Sequence, residues 1–476
     1  MTPLISVLMP VYNPELKFLE EAIESVRAQT WERWELCIAD DSSSDPKIRP
    51  FLEEMARRDS RLKITFREAN GGIAACSNSA LALASGEWCA LLDQDDLLAE
   101  NALAEVARES ADFPAAGLIY SDEDFLDSSG ARINPFFKPD WNPELFLGQN
   151  YLNHLGVYRT KLLHEIGGFR EGFEGSQDYD LALRAIARLE PEQIRHVPRI
   201  LYHWRMVTGS LADQPDAKPD ARHAARRALN SYLQEQGIAA EAVACPENPE
   251  SHRVTYALTQ PPPSVAILRL PMGARSANEA ARAADADVLI FLSDETEADD
   301  PAWSDEMLRL IVRPEVGAVG ARLWSPGGTL EDGALILGLG GIATPAFYGI
   351  PHGHPGYFNR AWLTQNFSAV SGACLAVRKS VSLDLDGFDE KNLPHHFYDV
   401  DFCLRLRERG LQVIWTPYAN LTFRGSGLRG EAQTSEEAVW MNERWGDQLQ
   451  SDPFYNPNLA RDLPGFRVAP SSGPIR

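Results

Sequence analysis

The sequence predicts an α/β protein built on a doubly wound, mostly parallel sheet, a unit that occurs twice, with its second copy truncated at the N-terminal end. Three observations predict this. Short, almost wholly apolar runs such as Ile5–Val11 and residues 88–92 are what a strand buried on both faces requires. These runs alternate with helix-period stretches, which implies right-handed strand–helix–strand crossovers. Spacings in the first half also recur in the second: Asn78 precedes Asp93 by fifteen positions (93 − 78), and Asn278 precedes Ser293 by fifteen (293 − 278).

In order, Ile5–Val11 reads as a central strand, broken by Tyr12-Asn13-Pro14. Leu16, Leu19, Ala22, Ile23 and Val26 recur at helical spacing and predict an amphipathic helix. Residues 34–39 form the next strand, ended by Asp40-Asp41-Ser42-Ser43-Ser44-Asp45, whose side chains can bond a ligand or cap a helix. Leu62–Phe66 is the third strand; Asn70-Gly71-Gly72 and a small-residue helix through Ala74, Asn78 and Leu81 follow. A Gly pair lets backbone approach a ligand closely, and it is equally an ordinary turn. Residues 88–92 deliver Asp93-Gln94-Asp95-Asp96 at a strand's carboxyl end, where open α/β sheets gather ligands. Crowded carboxylates there repel one another, and a hard divalent cation relieves the repulsion; a solvated, helix-capping loop is the bland alternative. Residues 117–121 predict a further strand, with Asp122-Glu123-Asp124 after it as an acidic loop that either helps shape the pocket or is simply solvated. Ser176 predicts a helix N-cap that puts Asp178 in the first turn, where the helix dipole keeps a carboxylate ionised. That suits a general base and suits an inert stabilising aspartate equally. Leu201-Tyr202-His203-Trp204-Arg205 ends a strand.

Hydrophobic residues make up 44% and charged residues 24% of 476, which fits a soluble chain of two or three domains. No apolar run reaches the roughly 18 residues of a membrane span. The first residues lack a basic n-region, so no signal peptide is expected. Cys37, Cys76, Cys89, Cys245, Cys374 and Cys403 are scattered, several inside apolar patterns, and predict buried free thiols in a reducing compartment. The net charge of −23 argues against nucleic acid as a partner. The expected location is the cytoplasm, with peripheral association at the inner face of a membrane allowed.

Pro10-Val11-Tyr12-Asn13, Asp40-Asp41-Ser42-Ser43-Ser44-Asp45, Asn70-Gly71-Gly72, Asp93-Gln94-Asp95, Ser176-Gln177-Asp178-Tyr179-Asp180 and Tyr202-His203-Trp204-Arg205 occur in that order over residues 4–210. This ordered set resembles the inverting family 2 glycosyltransferases of the GT-A fold. The resemblance implies a nucleotide-diphospho-sugar donor, UDP- or dTDP-linked, in contact with Pro10, Val11, Tyr12, Asn13, Asp41, Asn70, Gly71, Asn78, Asp93, Gln94 and Arg205. It implies Mn²⁺ or Mg²⁺ held by Asp93 and Asp95, with His203 completing the sphere, and Asp178 as catalytic base. Such a base takes the proton of an acceptor hydroxyl as the new bond forms, and the metal stabilises the departing diphosphate. Direct displacement inverts the anomeric centre, and no second carboxylate stands out as a nucleophile. Surface polysaccharide, O-antigen or protein glycosylation is the implied setting, with a glycan, lipid-linked glycan or protein as acceptor.

Residues 238–263 read as a β excursion ending in the stiff linker Pro261-Pro262-Pro263. That gives a catalytic domain over 1–237, a degenerate copy over 264–455, and a Pro-, Ser- and Gly-rich tail over 456–476 expected to be poorly ordered. The copy lacks most of the first two strand–helix units: 14 positions separate Ser264 from Asn278 (278 − 264), against 72 from Ser6 to Asn78 (78 − 6). Ser293-Asp294-Glu295 replaces Asp93-Gln94-Asp95; Tyr398-Asp399-Val400-Asp401 matches Gln177-Asp178-Tyr179-Asp180, and the shift of 25 that links Asp178 to His203 links Asp399 to Arg424. The expectation is a non-catalytic platform for acceptor or second subunit, with His352, His354, His395 and His396 as exposed candidates. The rival readings are a two-site glycan polymerase, a non-catalytic carbohydrate-binding scaffold, and a sugar nucleotidyltransferase, which would need a Gly-rich basic loop unlike Pro10-Val11-Tyr12-Asn13-Pro14.

Overall fold

The computed structural model describes residues 3–206, 219–258, 260–298, 300–428, 430–462 and 464–469. It divides into two units: Met1–Trp141 with Asn150–Ile238, and Asn142–Gln149 with Ala239–Arg476.

The first unit alternates strand and helix as its apolar pattern requires. It contains β1 (Ile5–Val11), α1 (Leu16–Arg27), β2 (Trp34–Asp40), α2 (Ile48–Arg58), β3 (Leu62–Phe66), α3 (Gly72–Leu81), β4 (Trp88–Leu91), β5 (Leu97–Leu98), α4 (Ala102–Asp112), β6 (Leu118–Leu126) and β7 (Arg132–Phe136). After α5 (Pro143–Gly148), which belongs to the second unit, come β8 (Gly156–Arg159), α6 (Thr160–Glu165), α7 (Gln177–Ile186), β9 (Ile194–Arg205) and α8 (Pro219–Glu235). The sheet order is β3-β2-β1-β4-β8-β6-β9-β5, with β7 beside β6. Strands β3, β2, β1 and β4 run parallel, β8 is antiparallel to β4 and β6, and β6 is parallel to β9. Ile5, Val7, Met9 and Val11 pack with Leu19, Ile23 and Val26 of α1 in one core, as the period-2 and period-3.6 patterns demand. The helix expected from Ala217 is described from Pro219; its first two residues lie outside the described residues.

Strand β6 departs from expectation. It runs on to Leu126, and Asp122, Glu123 and Asp124 lie inside it, each under 5% exposed, so they do not form a solvated loop. Each carboxylate has a basic side chain to meet it. Asp122 takes His196 (2.9 Å), Glu123 takes His154 (3.1 Å) and Lys138 (3.6 Å), and Asp124 takes His203 and Arg132 (both 2.6 Å).

The second unit holds β10 (Ala240–Ala244), β11 (His252–Tyr256), β12 (Val265–Leu270), β13 (Val288–Ser293), β14 (Thr296–Glu297), β15 (Val316–Trp324), β16 (Leu330–Asp332), β17 (Ala334–Leu337), β18 (Ala343–Pro345), β19 (Gln365–Asn366), β20 (Ala369–Val370), β21 (Cys374–Arg378) and β22 (Gln412–Phe423). Its main sheet runs β12-β13-β21-β15-β22-β14. The order and the parallel or antiparallel sense of every pair match β1-β4-β8-β6-β9-β5, with nothing in place of β2 and β3 among the described residues. Two clamps recur as well. Asn78 accepts from Phe169 N and donates to Phe169 O (both 2.8 Å), and Asn278 does the same with Phe388 (both 2.9 Å). Arg184, paired with Asp180, donates to the carbonyls of Ile166 and Gly168; Arg405, paired with Asp401, donates to those of Leu385 and Gly387.

Three boundaries differ from the sequence reading. The excursion is the hairpin β10–β11 and belongs to the second unit, so the division falls at Ile238. Helix α5 also belongs there, because Asn142 bonds the backbone of Asn366 (2.9 Å) and Glu144 pairs with Arg313 (2.7 Å). The described part of the tail is folded: Ala460 N donates to Arg467 O (2.7 Å), and Phe466 stacks on Tyr357. Residues 470–476 lie outside the described residues. All six cysteines are buried and free. Among the described residues no helix is long and apolar enough to cross a membrane.

Candidate active site

The carboxyl ends of β1 and β4 open onto a cleft lined by Pro10, Ser77, Asp93, Asn153, His154, Phe169, Asp178 and Tyr202, among others. Gln94 ties two of its walls together. Its Oε1 accepts from Tyr12 N (2.8 Å), and its Nε2 donates to Tyr12 O (3.3 Å). The Tyr12 ring is left 48% exposed beside the cleft, available for stacking.

Several residues expected to touch a nucleotide hold the turns that follow β1, β2 and β3. Asp41, 2% exposed, accepts from Arg67 (2.8 Å), Gly71 N (3.0 Å) and Gly72 N (2.9 Å), which fixes the turn that starts α3. At Gly71 a Cβ would fall 2.5 Å from the Arg67 guanidinium, so a side chain there would displace Arg67. Gly72, at φ +83°, carries the turn beside Asn70, whose Oδ1 receives its N–H (3.3 Å). Asn13 accepts from Ser44 N (2.8 Å) and holds the 42–45 loop against the end of β1. Val11, 1% exposed, gives its carbonyl to Asp41 N. Asn78 donates to Phe169 O and accepts from Phe169 N through its side-chain amide, clamping α3 to the 167–169 turn. Arg205 is 7% exposed, with Nε on the Asp95 carbonyl (2.7 Å), an Nη on Glu21 (2.7 Å), and its guanidinium over Phe18 (4.4 Å). The guanidinium is thereby turned onto α1 and the 93–96 loop.

His203 bonds Asp124 through Nδ1 (2.6 Å) and is not among the residues whose ligand atoms cluster. Asp93, Asp96 and His154 present ligand atoms within 4.8 Å of one another, the one such group among the described residues, and Asp95 is outside it. Asp96 is 1% exposed and already accepts from Tyr202 Oη (2.6 Å) and Arg205 N (2.7 Å). His154 is held by Glu123, which receives its Nδ1 (3.1 Å) and its backbone N (2.6 Å), while its Nε2 stands 3.9 Å from Asp93. Its ring stacks on Tyr202. A histidine with one nitrogen fixed by a carboxylate and the other aimed at an acidic cleft has the orientation of a metal ligand.

The charges are uncomfortable without a cation. Desolvation pushes Asp93 up to about 6, and the charges of Asp95 and Asp178 push the same way against the pull of His154. Burial, with Asp93 and Asp95, lifts Asp96 well above the usual carboxylate range. Burial opposes charge on His154, yet Glu123, Asp93 and Asp96 together raise it to about 9. Two acids reluctant to ionise beside one histidine suit a divalent ion, and the mixed oxygen–nitrogen set suits Mn²⁺ better than Mg²⁺.

Asp178 lies in the first turn of α7. Ser176 precedes that helix, but its hydroxyl donates to Ala221 O (2.9 Å) and caps no helix N–H. Asp178 accepts from Tyr179 N (2.9 Å) and from the Asn153 side chain, and burial raises its pKa. The sequence reading missed His154, Asn153 and Lys138.

In the second unit Arg378 pairs with Val288 as Arg159 pairs with Trp88. Counting from these anchors, Ser293, Thr296 and Ala373 stand where the first unit has Asp93, Asp96 and His154. Trp324 pairs with Thr422 as Asp124 pairs with His203, so Thr422, and not Arg424, answers His203. Asp399 survives, 1% exposed, with Gly372 N and Val400 N on its carboxylate. The matching cavity is lined by Leu270, Met272, Phe291 and Tyr398 among others, which is apolar surface unsuited to a diphosphate.

Residues 6–167 match the family described as glycosyl transferase family 2. An uncharacterized protein of Sinorhizobium fredii, y4gI, is 38% identical over 98% of this chain and 58% of its own length. The O-antigen biosynthesis protein RfbC of Myxococcus xanthus is 32% identical over 99% of this chain and 42% of its own. The chain thus spans about half the length of these relatives. Among solved structures, S. aureus TarS 1–349 in complex with UDP-GlcNAc is 21% identical, with a TM-score of 0.40 over 48% of this chain and 66% of that one.

Proposed function

From the premise that this chain belongs to glycosyl transferase family 2 through residues 6–167, we propose that its first unit moves a sugar, with inversion, from a nucleotide-diphospho-sugar to an acceptor hydroxyl. The observation that carries this reading is that Asp93, His154 and Asp178 line one cleft at the carboxyl ends of β1 and β4. Asp178 takes the acceptor proton. Its raised pKa brings it nearer neutral pH, where a general base works best, and Asn153 orients it. Asp93, Asp96 and His154 would hold Mn²⁺ or Mg²⁺, which when bound supplies charge stabilisation for the departing diphosphate. The Tyr12–Gln94 pair and the Asp41-fixed turn shape the donor side, with the exposed Tyr12 ring as a stacking surface for the base.

The second unit is a duplicate of the first that has lost β2, β3 and the acidic ligands. Its conserved strand order and recurring clamps, beside its altered site residues, support this. It does not transfer sugar and serves as a platform for acceptor or partner. Surface-polysaccharide synthesis is the setting favoured by the name of the M. xanthus relative. The test is a thermal-shift and turnover screen of UDP-, dTDP- and GDP-sugars with Mn²⁺. Specific binding must raise stability by mass action, and a nucleotide sugar should be consumed by the wild type and not by Asp178→Asn. Absence of any shift or consumption across the screen overturns the reading.

A further inference from the structure

Lys138 is completely buried, at 0% exposure, in the first unit. A lysine ammonium has three donors, and each has a target here. Nζ donates to the carbonyl of Asn153 (2.9 Å) and to that of His154 (2.7 Å), and it faces Glu123 Oε2 (3.6 Å). The same Glu123 oxygen receives the His154 backbone N–H and ring Nδ1. The backbone N–H of Lys138 donates in turn to Asp122 (2.9 Å), which is fixed by His196.

The consequence lies one residue further out. The side chain of Asn153 bonds Asp178, and the free edge of His154 faces Asp93. One buried cation therefore grips two consecutive carbonyls whose side chains serve the two halves of the chemistry. Putting an ammonium and a carboxylate out of reach of water is costly, and an apolar pair of similar volume would hold a sheet at least as well. The second unit gives an internal comparison. The Asn278 and Arg405 clamps, which hold the fold, are retained there. At the positions of Glu123, Asn153 and His154 it has Leu323, Gly372 and Ala373, so this network is absent together with the acidic ligands.

We propose that Lys138 and Glu123 are positioning residues: they lock the Asn153–His154 segment so that one side chain orients the base and the other faces the metal carboxylates. This rests on the reading of the cleft as a metal-dependent transferase site. The test is Mn²⁺ alone, titrated by loss of its free EPR signal into the full chain and into Lys138→Met, alongside thermal unfolding and, for the nucleotide sugar found in the screen, kcat and KM. The expected result is a folded Lys138→Met whose Mn²⁺ affinity falls about 10–100-fold, the range seen when partners of metal ligands are removed. Its kcat should fall while KM for the donor changes less than about threefold, because the Tyr12–Gln94 and Asp41 walls are untouched; a merely structural role would not separate the two. A folded Lys138→Met with wild-type Mn²⁺ affinity and kcat overturns the proposal. If the unpaired Glu123 prevents folding, Lys138→Met/Glu123→Leu removes both charges and carries the same expectation. If that variant does not fold either, the pair is a folding element and the proposal falls. A wild type that takes up no Mn²⁺ overturns the transferase reading itself, whatever the variants do.

Discussion

The Asn78 amide decides between a nucleotide contact and a structural clamp, and Asn78→Ala separates them. In the structure the side chain makes two hydrogen bonds of 2.8 Å, one to each backbone group of Phe169. Phe169 is only 6% exposed, so water cannot readily replace them. Two such bonds are worth about 1–3 kcal/mol net, and leaving the partners unmet pushes the loss to the upper end, about 2–3 kcal/mol. For a unit of this size that lowers the melting temperature by about 4–12 °C. The assay is urea and thermal unfolding followed by the fluorescence of the buried Trp34 and Trp88, run beside nucleotide binding by the folded variant. The expected result is a destabilised unit with unchanged nucleotide affinity, and a comparable loss for Asn278→Ala in the second unit. Stability within about 0.5 kcal/mol of wild type, the range of an uninvolved surface position, together with weakened nucleotide binding, would refute the clamp and return Asn78 to the donor site.

Other outcomes follow from the same geometry. His154→Ala should weaken Mn²⁺ binding by more than about tenfold, whereas His203→Ala, which removes the partner of buried Asp124, should lower stability and spare Mn²⁺ affinity; equal effects on Mn²⁺ would contradict the assignment. Asp93 has a folded pKa near 6, above its ordinary 3.8, so its contribution to metal-free stability is present at low pH and lost as pH rises through about 6. Asp93→Asn should therefore raise the metal-free melting temperature at pH 7.5, less so at pH 5, and lose that advantage when Mn²⁺ is added. Asp399→Asn should leave consumption of the nucleotide sugar unchanged, and loss of one of two transfer activities would point to a two-site polymerase.

β1 was legible because it is apolar on both faces and buried along nearly all its length, and β3 falls where the strand–helix alternation puts it. The 93–96 loop and Asp178 were legible because each follows a strand or opens a helix, places where local pattern and chemistry coincide. His154 was not, since it lies in the irregular 149–155 stretch and meets Asp93 only through tertiary folding. The acidic run 122–124 misled for a physical reason. Three successive carboxylates read as a solvated loop unless each has a basic partner, and Lys138, His154, His196, His203 and Arg132 are scattered along the chain. One signal was available: Phe125-Leu126 resumes the apolar pattern straight after the acids, as a continuing strand would. His203 is singled out by the resemblance alone, and the register across β6 and β9 sets it opposite Asp124. The second unit's sheet has no strand in place of β2 and β3 among the described residues, which agrees with the short Ser264–Asn278 spacing. The counterpart of His203 was not readable from spacing, because a fixed offset cannot register the different bulges along β6 and β15.

The most direct measurement is the rate of nucleotide-sugar consumption by Asp178→Asn with Mn²⁺ present, at a donor concentration that saturates the wild type. The substitution keeps the size of the side chain and removes its basicity, so the rate should fall by about 10²–10⁴-fold, the span of a general base. A rate within a factor of two of wild type would mean that the group taking the acceptor proton lies elsewhere.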